Sequence, residues 1–237
     1  MRDTIYPLSW NDPIVIRYEK TIPLKIPGYT HLYEMTDRLI ATQLTVDAPK
    51  RILVIGAGGG QEIVTLGSRH ANWGFTGVDP SAQMLELAKR RTAAADLTER
   101  SFFVEGTIED LPEEQEHNYD AATCLLVLHF LKGLQLKKDL LQEIAKRLKP
   151  GAPFCLAAIS GDPHTAAFSV QMSAWKRHMQ DNGIGIPEWE RFAASIGNES
   201  DPVSATVVQA LLEEAGFREP TRYFGSYLVD AWFAIRE

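Results

Sequence analysis

The sequence predicts an α/β fold: a mostly parallel, seven-stranded sheet with helices on both faces and an antiparallel hairpin at its C-terminal end. Three observations carry this. After residue 50, apolar strand-like runs alternate with amphipathic helical ones. The first run, "ILVIGAGGG" from Ile52, passes straight into glycines, as a strand buried on both faces does where it turns tightly and its backbone meets a ligand. The tail "REPTRYFGSYLVDAWFAIRE" reads as two strands turning near Gly225-Ser226.

Each element follows in order. "PGYTHLYEMTDRLIATQL" gives a helix begun by a Pro-Gly turn, within an N-terminal arm over residues 1–48. Strands are expected at 51–55, 73–78, 101–105, 120–127 and 153–159. Between them, "GQEIVTLGSRH", "SAQMLELAKRRTAAADL" and "LKKDLLQEIAKRLKPG" read as helices, the second entered through Asp79-Pro80-Ser81 and the third closed by Pro150-Gly151. From 161 to 202 the strand alternation stops. Two short helical patterns, "AFSVQMSAWKRHMQ" and "PEWERFAASI", carry Trp175 and Trp189 and suggest an insertion over the sheet's edge. The helix "VSATVVQALLEEAGF" then leads to the closing hairpin. No internal repeat interrupts this plan, so residues 1–237 are expected to form one domain.

Composition narrows the partners. A chain of 237 residues with 45% hydrophobic content can bury one large core. Its net charge of −7, without any lysine- or arginine-rich run, gives no footprint for nucleic acid or an anionic membrane, and a small-molecule substrate fits better. The start lacks the apolar core of a signal peptide, and "AATCLLVLHFL" and "APFCLAAI" are too short to span a bilayer, so a cytoplasmic protein is expected. Cys124 and Cys155 lie in those two runs as reduced, buried thiols, and no metal-ligand spacing is visible.

The glycine turn ends the first strand, where ligands of open α/β sheets bind. A dinucleotide fingerprint needs Gly-x-Gly-x-x-Gly, and neither register completes it: from Gly56 the third position is Gln61, from Gly58 it is Ile63. Asp79, at the end of the second strand, is placed to accept two hydrogen bonds from a ribose diol; capping of the helix that follows is the competing role. A dinucleotide, S-adenosyl-L-methionine and a purely structural turn all remain open on the glycines alone.

The set "ILVIGAGGG", "GVDPSAQML", "EGTIEDLP", "YDAATCLLVLHFL" and "LKPGAPFCL", in this order and spacing, resembles the class I S-adenosylmethionine-dependent methyltransferases and their Rossmann-like sheet. The resemblance implies S-adenosyl-L-methionine as cofactor. The backbone of Gly56, Ala57 and Gly58 would approach its methionine part and Asp79 its ribose. Pro80 and Met84 would border the adenine, Thr107 and Ile108 would form the adenine edge, and Leu125 would give a backbone contact to the methionine amine; for Met84 and Ile108 core packing is the competing role. Two positions depart from the family pattern: Val54 stands where an acidic residue is usual, and Thr107 where an aspartate is usual.

"IPLKIPGYTHLYEM", "VLHFL" and "LLEEAGF" with its aromatic hairpin also resemble the carboxy-S-adenosylmethionine synthases, which implies that Tyr29 reaches the cofactor. That family grips its added carboxylate with an arginine before "AGF", and from Phe192 to Phe217 this chain has none. An ordinary methyl donor is therefore favoured, with in-line displacement onto a small-molecule acceptor; a sulfonium-modifying synthase or a non-catalytic binding protein are the alternatives. His129 is the candidate base if the acceptor needs one. Trp175 is the candidate acceptor contact in a lid formed by 161–202. The competing role for both tryptophans is packing, within the chain or across a homodimer contact.

Overall fold

The computed structural model describes residues 18–44, 48–112 and 118–237. The expected arm over 1–48 therefore falls partly outside the described residues, at 1–17 and 45–47. Helices α1 (Tyr18–Lys25) and α2 (Tyr29–Gln43) precede β1 (Lys50–Ile55), α3 (Gln61–Gly67), β2 (Trp73–Asp79), α4 (Ala82–Ala94), β3 (Ser101–Glu105) and β4 (Ala121–Leu125). Then come α5 (Gly133–Arg147), β5 (Pro153–Ile159), α6 (Ala166–Asp181), α7 (Ile186–Ser195), α8 (Ala205–Glu214), β6 (Phe217–Ser226) and β7 (Val229–Arg236).

The seven strands form one sheet in the order β3-β2-β1-β4-β5-β7-β6. The first five run parallel, and β7 inserts antiparallel between β5 and β6. Strand β1 explains why its sequence is apolar without alternation. Ile52 and Val54 face a core with Leu32 and Ile40 of α2 and Ile63 and Leu66 of α3, whereas Leu53 and Ile55 face one with Leu141 and Ile144 of α5 and Leu211 and Leu212 of α8.

Several boundaries differ from expectation. Strand β4 stops at Leu125, because Leu126 enters the left-handed region at φ 64° and turns the chain off the sheet. The hairpin turns at Tyr227-Leu228, since Gly225 and Ser226 still pair with Asp230 and Val229. The Arg222 guanidinium lies over Gly225 and crosses to Asp230 at 2.7 Å. Helix α1 was hidden from sequence reading by Pro23 in its interior. At the start of α4 the cap is Ser81, whose hydroxyl accepts from Met84 N–H at 3.2 Å.

Candidate functional site

The sheet order reverses between β1 and β4, and a cavity of about 410 Å³ opens beyond the carboxyl ends of β1, β2 and β4. Helices α1, α2, α6 and α7 complete its walls. A larger groove of about 540 Å³ on the outer face of α6 has only exposed and half-buried side chains around it.

The floor is the glycine turn. Gly56 has φ 67°, and a Cβ there would lie 2.2 Å from Val127 Cγ2, so only glycine lets the end of β1 pass beneath the chain leaving β4. Gly60, at φ 75°, sits with its virtual Cβ 3.1 Å from Ala88, which is how α4 packs against the turn. Asp79 joins turn and helix: Oδ2 accepts from Gly58 N–H at 2.8 Å and Oδ1 from Ser81 N–H at 2.8 Å. Each oxygen keeps a further lone pair for a diol. Burial pushes this carboxyl above its ordinary range, and the two N–H bonds oppose that shift.

Of the residues singled out from the sequence, Tyr29, Gly56, Ala57, Gly58, Asp79, Pro80, Met84, Leu125, His129 and Trp175 line this one cavity. Thr107 and Ile108 do not. Thr107 caps a short 3-10 turn, its N–H and hydroxyl donating to Asp110 Oδ2 at 2.7 and 3.2 Å. Ile108 is buried in the α5 face of the core, and its carbonyl accepts from Arg147 at 2.9 Å.

His129 is buried, and its Nδ1 accepts from Ile159 N–H at 3.2 Å. Burial and the nearby Lys137 push its pKa down to about 3. The neutral ring then carries its proton on Nε2, as a donor, and the base expected from the sequence has no free lone pair. Tyr29 is buried beside Tyr33, ring centroids 4.7 Å apart, and burial pushes its hydroxyl pKa up. Trp175 is 1% exposed, with Phe192 against it edge-on at 4.9 Å.

Sequence reading missed the strap over the cavity. At one end of α1, Glu19 pairs with Arg91 of α4 at 3.2 Å. At the other, the Lys25 carbonyl accepts from Trp175 Nε1 at 2.6 Å and the Lys25 ammonium meets Glu188 of α7 at 2.6 Å. Arg91 also donates to Gly59 O at 2.8 Å and to Gln61 Oε1 at 2.7 Å. Gln61, which breaks the dinucleotide fingerprint, is thus a bracket for the glycine turn. Also missed were Glu62, buried at the cavity with its Oε1 lacking any hydrogen-bond partner, and Arg191 of α7, whose guanidinium has no partner among the described residues. The sequence signal for Glu62 was an acid in the first turn of a helix that must pack on the sheet.

The donor set fits a sulfonium nucleoside: a strand-end carboxylate with spare lone pairs for a diol, the apolar side chains of Pro80 and Met84 beside it, and an orphaned buried acid near the glycine turn. Among the described residues no cluster of His, Cys, Asp and Glu could hold a metal ion, and no helix is long and apolar enough to cross a membrane. Both cysteines are free and buried.

Residues 53–154 match the family described as a methyltransferase domain. The chain is 28% identical over 123 residues to the ubiquinone biosynthesis O-methyltransferase of Dechloromonas aromatica, covering 52% of this chain and 50% of that protein. It is 23% identical over 228 residues to the carboxy-S-adenosyl-L-methionine synthase of Citrobacter koseri, covering 96% and 91%. The chain spans about half the length of the ubiquinone O-methyltransferases it matches, 54% for that of Alkalilimnicola ehrlichii. Among solved structures, an S-adenosylmethionine-dependent methyltransferase from Methanosarcina mazei superposes with a TM-score of 0.61 at 18% identity, covering 84% of this chain and 96% of that one. The mitomycin 7-O-methyltransferase MmcR gives 0.63 at 17%, covering 93% and 56%. These structures share the fold.

Proposed function

We propose, from a chain whose residues 53–154 match a methyltransferase domain, that it is a class I S-adenosylmethionine-dependent enzyme that transfers the methyl group of S-adenosyl-L-methionine to a small-molecule acceptor. The observation that carries this reading is the convergence of the glycine turn, Asp79 and Leu125 on one cavity at the sheet's switch point. The cosubstrate supplies an electrophilic methyl on a sulfonium, open to in-line displacement. The chain's own contribution is alignment and exclusion of water. Asp79 holds the ribose diol, Met84 and Pro80 flank the adenine, and the backbone at Gly56 to Gly58 and Leu125 seats the methionine part. Helices α6 and α7, strapped down by α1, form the lid, and Trp175, Met179 and Phe192 offer the acceptor an apolar wall. With Nδ1 of His129 engaged, the reading needs no protein base, and the ring's Nε2–H is available to orient an acceptor oxygen.

A second reading, a carboxylated sulfonium ligand, has one observation in its favour. The helix before "AGF" carries no arginine and buries Leu211 in the core, yet Arg191, one residue outside the arginine-free stretch, lines the cavity. One calorimetric series tests both. Asp79→Ala should bind S-adenosyl-L-methionine at least about tenfold more weakly, the loss of a charge-assisted hydrogen bond of about 1.5 kcal/mol or more. Equal affinity in the variant, or tight NADH binding by the parent, would sink the assignment. Clear preference of the parent for the carboxylated sulfonium would install the second reading instead.

A further inference from the structure

Glu62 is 3% exposed, lies against the cavity, and has Oε1 buried without a hydrogen-bond partner. An ordered acid in that state is costly unless something met in function satisfies it. Its surroundings supply little. Asp79 of β2 repels a second negative charge, and Arg91 of α4, the cation that acts on Glu62, is already engaged with Glu19, Gly59 and Gln61. The hydroxyls of Tyr29 from α2 and Tyr223 from β6, and the thiol of Cys124 from β4, are the remaining titratable groups around it, all neutral with pKa values pushed up by burial.

The geometry points to Glu62 as the residue that receives the α-ammonium of the methionine portion of the ligand, a deepening that rests on the S-adenosylmethionine reading above. Two cationic centres are available in that ligand, and the orphaned oxygen chooses between them: an ammonium presents N–H donors, whereas a sulfonium presents none. Glu62 lies in the first turn of α3, directly after the glycine turn, which puts it at the methionine end of the site in that reading.

The linkage has a definite sign. Burial pushes the Glu62 pKa up to about 8, so the free protein holds it protonated at pH 7. An ammonium arriving beside it favours the carboxylate, and binding releases a proton. Affinity should therefore climb as pH rises toward 8 and level off above it.

The test compares S-adenosylhomocysteine, which keeps the ammonium and lacks the sulfonium, with 5′-methylthioadenosine, which lacks both. Glu62→Gln is isosteric, removes no packing and should fold. It is expected to bind S-adenosylhomocysteine about 10- to 100-fold more weakly while binding 5′-methylthioadenosine within about twofold of the parent. Calorimetry at pH 7 in buffers of different ionisation enthalpy should show the parent releasing about one proton on binding S-adenosylhomocysteine and the variant none. Equal weakening of both ligands, unchanged affinity for S-adenosylhomocysteine, or no proton release by the parent each overturns the role of Glu62 alone. A parent that binds neither nucleoside overturns the S-adenosylmethionine reading, and this inference with it.

Discussion

At the scale of single residues, the site rests on backbone geometry that few side chains tolerate. Gly56 meets two demands at once, a φ of 67° and the 2.2 Å approach of Val127 to its missing Cβ. Alanine at 56 should cost about 1–2 kcal/mol for the left-handed backbone and about 1–3 kcal/mol more for crowding Val127. The two contributions are separable. In Gly56→Ala/Val127→Ala the crowding is relieved, so urea unfolding should find the double variant less destabilised than the sum of the single ones. Additive losses would mean that the steric argument is wrong. Leu126, held at φ 64° one residue past β4, is the matching strained position on the facing strand.

At the scale of elements, the cavity owes its closed shape to α1. This short helix is pinned at Glu19 to α4 and at Lys25 to α6 and α7, so it spans the cavity from the glycine side to the proposed acceptor side. The bond from Trp175 to the Lys25 carbonyl is the buried half of that clasp. Trp175→Phe keeps most of the volume and removes the donor, at a cost of about 1 kcal/mol for the lost hydrogen bond to a half-buried carbonyl. Hydrogen exchange should then speed up in α1 and α6 while the sheet and α4 keep their protection, and S-adenosylhomocysteine affinity should stay within about threefold, a margin of under about 1 kcal/mol. Faster exchange throughout the chain would instead make Trp175 a general core residue with no part in a lid. Behind the cavity, Lys137 of α5, fully buried, pairs with Asp201 at 2.8 Å, and Asp201 N–H donates to the His129 carbonyl at 2.6 Å. That carboxylate is held below its ordinary range by Lys137 and by Gly133 N–H, and it ties the end of the insertion to the wall carrying His129.

At the scale of the whole molecule, ligand binding should register as stability, because the cavity is walled by elements that unfolding separates. At a concentration about 100 times its dissociation constant, S-adenosylhomocysteine should stabilise the fold by about 2.7 kcal/mol, which raises Tm by about 5–10 °C for a chain of this size. NADH should give no shift, and a shift with NADH alone would remove the sulfonium reading. The sequence by itself determined the strands, the glycine turn and the strand-end position of Asp79, because a strand buried on both faces must be apolar throughout and a tight turn must be glycine-rich. Those signals are local. It also determined the parallel class of the sheet, through alternation of strand and helix, and the place of the antiparallel hairpin, though Gly225 misplaced its turn. Only the tertiary structure decided that Thr107 and Ile108 lie outside the cavity's lining while Glu62, Arg91 and Arg191 border it. Whether a helix-borne acid looks outward or into a cavity depends on which helix packs over it, and that contact joins residues far apart in the chain. For the same reason α1, with Pro23 inside it, shows no helix in the sequence and becomes a strap only when Arg91, Trp175 and Glu188 are brought to meet it.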